Sequence, residues 1–475
     1  MLAVPPGVEK TELYRNLGVR GPPLGLAWIA AVLEQYGYEV RILDSPTEGL
    51  SEDEFRKILQ SWNPDLVGIS SLTPTIYLAY NAAKIVKDVN REIKVVIGGP
   101  HATFMWKEVL EECPYIDYVV IGEGEYTTLD LVKALERKEK LSKVRGLAFR
   151  NEEGTPVRTE SRPLIKNLNE LPPPARHLLP MDKYTFLGKP ISIIHVMASR
   201  GCPYGCIFCS TSYFFGRRVR FRSPKLVADE IEDAVYKYKT NIVTFSDDEF
   251  TINHKWLLEF LDELKKRKLD LSWSCGSRVD TVNREILRKM YEAGCNAIYY
   301  GVESGSQETL NKIGKRITIE QAEKCMRITK ETGIPYIVGT FVLGFPWETI
   351  DDMKNTVKFA IKLDPNYAQF TIATPYPGTP LYEVAKRENL IEDRDWSHYT
   401  TLRPVMRGYY FLTRDLTKML TYAYRKFYLR ARFLWRQVRT GVFRDLFRII
   451  TKNLIVPAFK STFSYFREKL IKRQV

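Results

Sequence analysis

Short apolar runs alternate with amphipathic stretches over the first 140 residues, the pattern of a parallel sheet with helices on both faces. The runs predict strands at Leu2–Pro5, Glu39–Leu43, Asp65–Ser70, Lys94–Gly98 and Tyr118–Ile121; the amphipathic stretches predict helices over Leu24–Tyr36, Glu52–Trp62, Ile76–Val89, Phe104–Glu111 and Glu125–Glu136. Residues 144–159 read as a hairpin turning at Asn151-Glu152-Glu153-Gly154. Leu171-Pro172-Pro173-Pro174 is then a stiff spacer. Beyond it six more runs, Ser192–Ala198, Ile242–Ser246, Ser272–Gly276, Ala297–Glu303, Tyr336–Leu343 and Ala368–Ala373, alternate with helical patterns. Six parallel strand–helix units suit an open, partial (β/α)6 barrel, whose functional groups collect in the carboxyl-end loops. The expected fold class is α/β: a Rossmann-like, doubly wound parallel sheet over 1–140, a hairpin and Pro-rich linker over 141–188, the partial barrel over 189–400 and a helical region over 401–475.

The first barrel strand runs directly into Ser199-Arg200-Gly201-Cys202-Pro203-Tyr204-Gly205-Cys206-Ile207-Phe208-Cys209. Thiolates at this C-x3-C-x2-C spacing can converge on one small cluster when Gly and Pro tighten the loop. Three ligands leave a metal position open, where a cosubstrate coordinates. The bland alternative is a structural zinc loop, which would draw its fourth ligand from His195 or Cys275 on neighbouring strands. Polar residues recur at the same end of later strands: Ser246-Asp247-Asp248-Glu249, Ser277-Arg278 and Glu303-Ser304, with Gly339 to Gly344 around the fifth. In the first sheet the corresponding loops are Pro5-Pro6-Gly7, Ser70-Ser71-Leu72-Thr73, Gly98-Gly99-Pro100-His101 and Gly122-Glu123-Gly124-Glu125. Open α/β sheets bind ligands at these ends, and small residues there let a flat ligand approach the backbone, although they are also ordinary turn residues.

Seven cysteines, odd in number, argue for a reducing, cytoplasmic setting, with Cys113, Cys275, Cys295 and Cys325 as buried inert thiols. Neither a signal peptide nor a run of about 20 apolar residues is apparent. The net charge of +14 resides in the tail: residues 401–475 hold about 18 Lys/Arg against 3 Asp/Glu. Between residues 412 and 475 the cations interleave with aromatics such as Tyr424, Phe427, Tyr428, Phe433 and Trp435. Three roles suit that mixture: docking on the protein's own barrel, peripheral contact with an anionic membrane, or nucleic-acid binding. Nucleic acid is the least expected, since no folded recognition motif accompanies it.

Cys202, Cys206 and Cys209, with aromatic Phe208 before the last, resemble the signature of the radical S-adenosylmethionine (SAM) superfamily. The loops of the first sheet, with Pro22-Pro23-Leu24-Gly25-Leu26, resemble the N-terminal domain of its cobalamin-dependent members, and the resemblance spans nearly the whole chain. It implies a 4Fe-4S cluster on the three cysteines, SAM chelated at the open iron, and reductive cleavage to a 5'-deoxyadenosyl radical that takes hydrogen from an unactivated C–H bond. It further implies that Phe208, Asp248, Glu249, Arg278, Glu303 and Gly344 contact SAM, with Arg278 clamping its carboxylate and Gly344 offering backbone to its adenine. Pro6, Ser70, Ser71, Gly98, Gly99, Gly122 and Gly124 would form the cobalamin pocket. The D-x-H-x-x-G motif that supplies a cobalt-ligating histidine is absent; His101 reads as a helix-entry residue and His195 as a core histidine. The basic aromatic tail directs the expectation toward an apolar membrane-lipid or isoprenoid substrate and ring or carbon–carbon bond formation, in the manner of the anaerobic ring cyclases and lipid-modifying members. The alternatives are C-methylation, tetrapyrrole ring closure and a non-catalytic iron–sulfur electron carrier. A tRNA methylthiotransferase would need a second cysteine triad, and Cys113 stands alone in that half. The resemblance also implies an electron donor such as ferredoxin or flavodoxin.

Overall fold

A computed structural model describes residues 1–11, 21–186, 189–190 and 192–439. Seven strands, β1 Leu2–Val4, β2 Ile42–Asp44, β3 Leu66–Ser70, β4 Lys94–Gly98, β5 Tyr118–Val120, β6 Leu147–Arg150 and β7 Pro156–Arg158, form one sheet in the order β2-β1-β3-β4-β5-β6-β7. The first five pair in parallel. The order reverses at β1, which opens a crevice at the carboxyl ends of β1 and β3. The hairpin expected between the domains is the antiparallel edge of this sheet, β6 on β5 and β7 on β6. Arg150 fixes it there, donating to the carbonyls of Ile116 at 2.7 Å and Cys113 at 2.8 Å.

The flanking helices follow the sequence pattern. Glu52–Trp62 starts at a capping box between Ser51 and Glu54, and Ile76–Val89 buries Ile76, Ala79, Ala83 and Val86 along one stripe. The expected helix Phe104–Glu111 is instead two short helices, Pro100–Phe104 and Trp106–Glu112, meeting at Met105.

The second sheet contains β8 Ile194–Val196, β9 Ile242–Phe245, β10 Ser272–Arg278, β11 Cys295–Glu303, β12 Tyr336–Leu343 and β13 Tyr367–Ile372, all parallel and in chain order. Alternate residues divide the two faces. Val243, Phe245, Trp273, Cys275, Ile298, Tyr300, Phe341 and Phe370 are buried on the helix side. Thr244, Ser274, Tyr299, Thr340 and Gln369 are more open, on the concave side, where Thr244 Oγ1 and Ser274 Oγ lie 2.7 Å apart.

The helix Thr413–Tyr428 covers the free edge of β13. Its Leu416, Met419, Ala423, Tyr424, Phe427 and Tyr428 are buried against the barrel. Two tyrosines four residues apart match two strand residues of the same face: Tyr424 Oη donates to Phe370 O at 3.0 Å and accepts from its N–H at 3.3 Å, while Tyr428 Oη does the same at Ala368, at 2.8 and 3.1 Å. The hydroxyls thus replace a missing neighbouring strand. Arg430, Arg432 and Arg436 gather on Asp364, the residue capping the helix Ile350–Leu363. This part of the tail is docked on its own barrel; residues 440–475, the remainder of the basic aromatic stretch, lie outside the described residues. Among the described residues no helix is long and apolar enough to cross a membrane.

Replacing either hydroxyl strands a buried N–H and C=O. Tyr424→Phe and Tyr428→Phe are each expected to cost about 1–3 kcal/mol, read as a lowered urea midpoint with an unchanged m-value.

Candidate functional site

The cysteine loop leaves β8 at the open end of the barrel. It begins with a short ladder, Ser199–Arg200 against Arg220–Phe221, and turns at Gly201, where φ is +104° and a Cβ would lie 2.5 Å from Arg218 O. Glycine is therefore required at this turn. Backbone bonds from Cys202 N to Gly216 O (3.2 Å), Ile207 N to Ile313 O (3.0 Å) and Leu381 N to Ile207 O (3.0 Å) hold the loop on three sides. The Cys206 thiol is buried, 3.7 Å from Gly314 O, while Cys202 and Cys209 are half-buried. Burial raises all three thiols, Cys202 to about 11, so they become thiolates when a metal's charge compensates. Among the described residues no three His, Cys, Asp or Glu side chains are grouped as a single-ion site requires.

Four strand ends surround the loop. Asp247, after β9, is fully buried and accepts from Ala198 N at 3.0 Å and Ser199 Oγ at 2.5 Å, which fixes the start of the cysteine loop; burial pushes its carboxyl up to about 7. Asp248 accepts from Thr211 Oγ1 at 2.8 Å and stays accessible, although the protein around it raises it to about 6. Glu249 is buried, raised to about 7 by that burial, and accepts from Arg278 N at 3.2 Å.

Arg278 is engaged within the protein. Its guanidinium is held bidentately by Asp280 (2.8 and 3.0 Å), donates to Lys315 O at 2.6 Å and lies 3.5 Å from the centre of the Tyr204 ring. So engaged, Arg278 holds the cysteine loop in place. A second buried cation, Lys315, stands 2.7 Å from Glu303. Burial alone would lower its pKa, but Glu303 and Cys206 reverse the direction and keep it charged. Glu303 stands in the left-handed region at φ +67°, where the β11–β12 register shifts. A Cβ on Gly301 would lie 2.6 Å from both Glu303 Oε1 and Lys315 Nζ, so glycine is what lets the pair form. The Gly344 N–H, with that of Phe345, is taken by buried Glu348 at 2.8 and 3.0 Å. Phe208 lies edge-on to Phe345, ring centres 5.6 Å apart.

Between the sheets lies a cleft of about 800 Å³, its open mouth included. Ser70, Gly98, Gly99, Gly122 and Gly124 line it, over an apolar floor that includes Ile69, Ile97 and Val120. Pro6 and Ser71 do not reach the lining; the backbone of Ser71 packs beneath Gly99, leaving 2.3 Å to a Cβ there. Gly25 and Gly122 face open space, with nothing within 4 Å of a Cβ, and so act as a cradle that side chains would fill. The barrel supplies the opposite wall with Met197, Arg200, Phe214 and Phe215. Among the described residues no histidine lines the cleft: His101 is buried on Thr73 and Trp396, and that burial lowers it to about 4. His195 packs against Gly21.

Arg200 joins the two sites. It donates to Glu123 at 2.9 Å and Glu125 at 2.6 Å, and lies 4.9 Å from the centre of the Trp28 ring. Arg220 also binds Glu123 at 2.9 Å, and Glu123 accepts from Ile165 N at 2.8 Å. Burial would raise Glu123, but Arg220 and Arg200 more than reverse it.

Residues 13–132 match the B12 binding domain and residues 196–360 the Radical SAM superfamily. An uncharacterized methyltransferase of Pyrococcus horikoshii is 43% identical over 439 residues, 92% of this chain and 94% of that protein. The anaerobic magnesium-protoporphyrin IX monomethyl ester cyclase of Rubrivivax gelatinosus is 33% identical over 419 residues, 87% and 75% of the respective chains. The chain belongs to the cobalamin-dependent radical SAM enzymes. Its fold is also that of OxsB, solved with aqua-cobalamin and SAM bound, at TM-score 0.74 and 18% identity over 98% of this chain and 75% of that one. As a member of an enzyme family, this radical SAM protein is not the non-catalytic carrier considered above.

In this radical SAM enzyme, Glu123→Ala leaves the buried Arg220 without a carboxylate, while Arg200 keeps Glu125, and should cost about 3–5 kcal/mol in chemical denaturation. Glu348 offers a pH test. Burial raises it to about 7 from its ordinary 4.5, so between those values the folded state holds a proton that the unfolded state has released, and stability falls as pH rises. Because Gln does not titrate, the melting temperature of Glu348→Gln minus that of wild type should grow from pH 5 to 7 and level off above it.

Proposed function

We propose that this enzyme is a C-methyltransferase holding a 4Fe-4S cluster on Cys202, Cys206 and Cys209, SAM beside it, and cobalamin in the cleft between the sheets. The observation that carries the reading is Arg200, which starts the cysteine loop and at the same time walls the cleft. When bound, cluster and SAM supply a carbon-centred radical, and cobalamin supplies a methyl group. The methyltransferase among the relatives supports methylation over ring closure.

The chain's own residues bind, orient and exclude water. Lys315 and Glu303 offer one ammonium and one carboxylate in a buried setting, which suits a zwitterionic methionyl group with an adjoining sugar. Asp248 presents an accessible carboxylate beside them. Phe208 and Phe345 make an aromatic wall for a planar base. The lipid reading rested on the tail, and the described part of that tail buries its aromatic side on β13. Thr244, Ser274, Tyr299, Thr340 and Gln369 instead give the barrel a concave face of hydroxyls and an amide, which favours a substrate that carries hydrogen-bonding groups. Ring closure is the second reading, favoured by the 33%-identical cyclase.

The test is anaerobic turnover of the cofactor-loaded enzyme with trideuteromethyl SAM and fractionated cell extract. Methylation predicts 5'-deoxyadenosine, S-adenosylhomocysteine and a deuterated product; deoxyadenosine without homocysteine product would favour the cyclase. Absence of deoxyadenosine with cofactors in place would refute both. Cys206→Ala should abolish deoxyadenosine. Lys315→Ala should weaken SAM binding about ten- to a hundredfold, from loss of a charged hydrogen bond.

A further inference from the structure

Radical formation consumes one electron per turnover, and it must enter from outside the chain. The exposed face of the cysteine loop shows where. Pro203 is exposed at the tip of the loop, and around it the backbone gathers residues 216–218 and 313–316, through Cys202 N to Gly216 O and Ile207 N to Ile313 O. These flanking segments carry Arg217, Arg218 and Arg316, all exposed. The Arg217 guanidinium lies directly on the loop: a Cβ on Gly205 would be 3.1 Å from its Nη2. No carboxylate of the described residues is seen to pair with these three arginines, whereas the nearby Arg220 and Arg222 turn inward to Glu123 and Glu230.

We propose that Arg217, Arg218 and Arg316 form the docking collar for an acidic protein electron carrier. Three exposed cations beside the cysteine loop, without a carboxylate partner among the described residues, are complementary to a carrier whose redox group is ringed by carboxylates. Docked there, the carrier would stand over the cysteine loop; with a cluster held on the three thiols, one electron would pass from the reduced carrier to the oxidised cluster, with no proton or group transferred. Exposed charges of this kind act mainly on encounter, so the effect is salt-sensitive.

The probe is a purified acidic flavodoxin. Its oxidised form is titrated against the full chain by calorimetry, a readout that needs no cluster turnover; its reduced form is then mixed with the reconstituted protein while cluster reduction is followed by stopped-flow absorbance. Photoreduced deazariboflavin, small and uncharged, serves as the reference reductant. Arg217→Glu/Arg218→Glu is expected to weaken flavodoxin binding and to slow flavodoxin-driven reduction at least about tenfold, leaving iron content and the deazariboflavin rate unchanged. Arg217→Lys/Arg218→Lys should retain most of both, and raising salt should suppress wild type while leaving the glutamate variant nearly unaffected. Unchanged flavodoxin binding in the glutamate variant would overturn the proposal. So would equal slowing with both reductants, which would assign the arginines to the architecture of the loop.

Discussion

A buried pair of glutamates that follow the last parallel strand of the first sheet, meeting two arginines of the ladder that starts the cysteine loop, holds the two halves of this protein in register. Glu123 and Glu125 lie where β5 gives way to its helix; Arg200 and Arg220 form the ladder from which the cysteine loop hangs. Ion pairs removed from water contribute little net stability when compared with apolar packing, but they tolerate no mismatch, because either partner left alone is an uncompensated buried charge. The network therefore fixes register between two domains that could otherwise slide, and places the cleft against the cluster-binding loop. Trp28, stacked on Arg200, extends the same constraint to the first helix.

Around the barrel mouth the same physics recurs with carboxylates. Asp247, Glu249 and Glu348 are all raised to about 7 by burial, yet each accepts backbone hydrogen bonds that hold a strand end in place. They are the frame of the site. At the same end of the barrel are the three thiols, the Lys315–Glu303 pair and accessible Asp248. Gly301 and Gly201 make room for them by lacking a Cβ where a neighbour already stands.

Much of this was legible in the sequence, since periodicity and turn residues report local physics. Every expected strand appears, most within a residue or two, and the cysteine spacing alone pointed to the cluster. What periodicity could not show was which groups consume one another. Arg278 has the chemistry of a carboxylate clamp, but Asp280, two residues away, satisfies it first. Gly344 has a backbone donor, but Glu348 takes it. Lys315 lies in an unremarkable Gly-Lys-Arg stretch, and only the fold turns it inward while Arg316 points out. The hairpin was recognised, though its pairing with β5 is a long-range fact. The tail's aromatic–cationic mixture suggested a membrane because amphipathicity does not name its partner; for residues 413–436 the partner is β13.

The central claim is that one cleft, walled by Arg200, holds cobalamin beside the cluster. Gly25 permits a direct test, since it faces open space and its conformation is open to any residue. Equilibrium binding of hydroxocobalamin should be measured for wild type and Gly25→Trp, with iron content determined on the same samples. The account predicts one cobalamin per wild-type chain and binding weakened by at least about a hundredfold in the variant, the cost of filling a preformed pocket, with iron unchanged. Equal cobalamin binding by both proteins would contradict it.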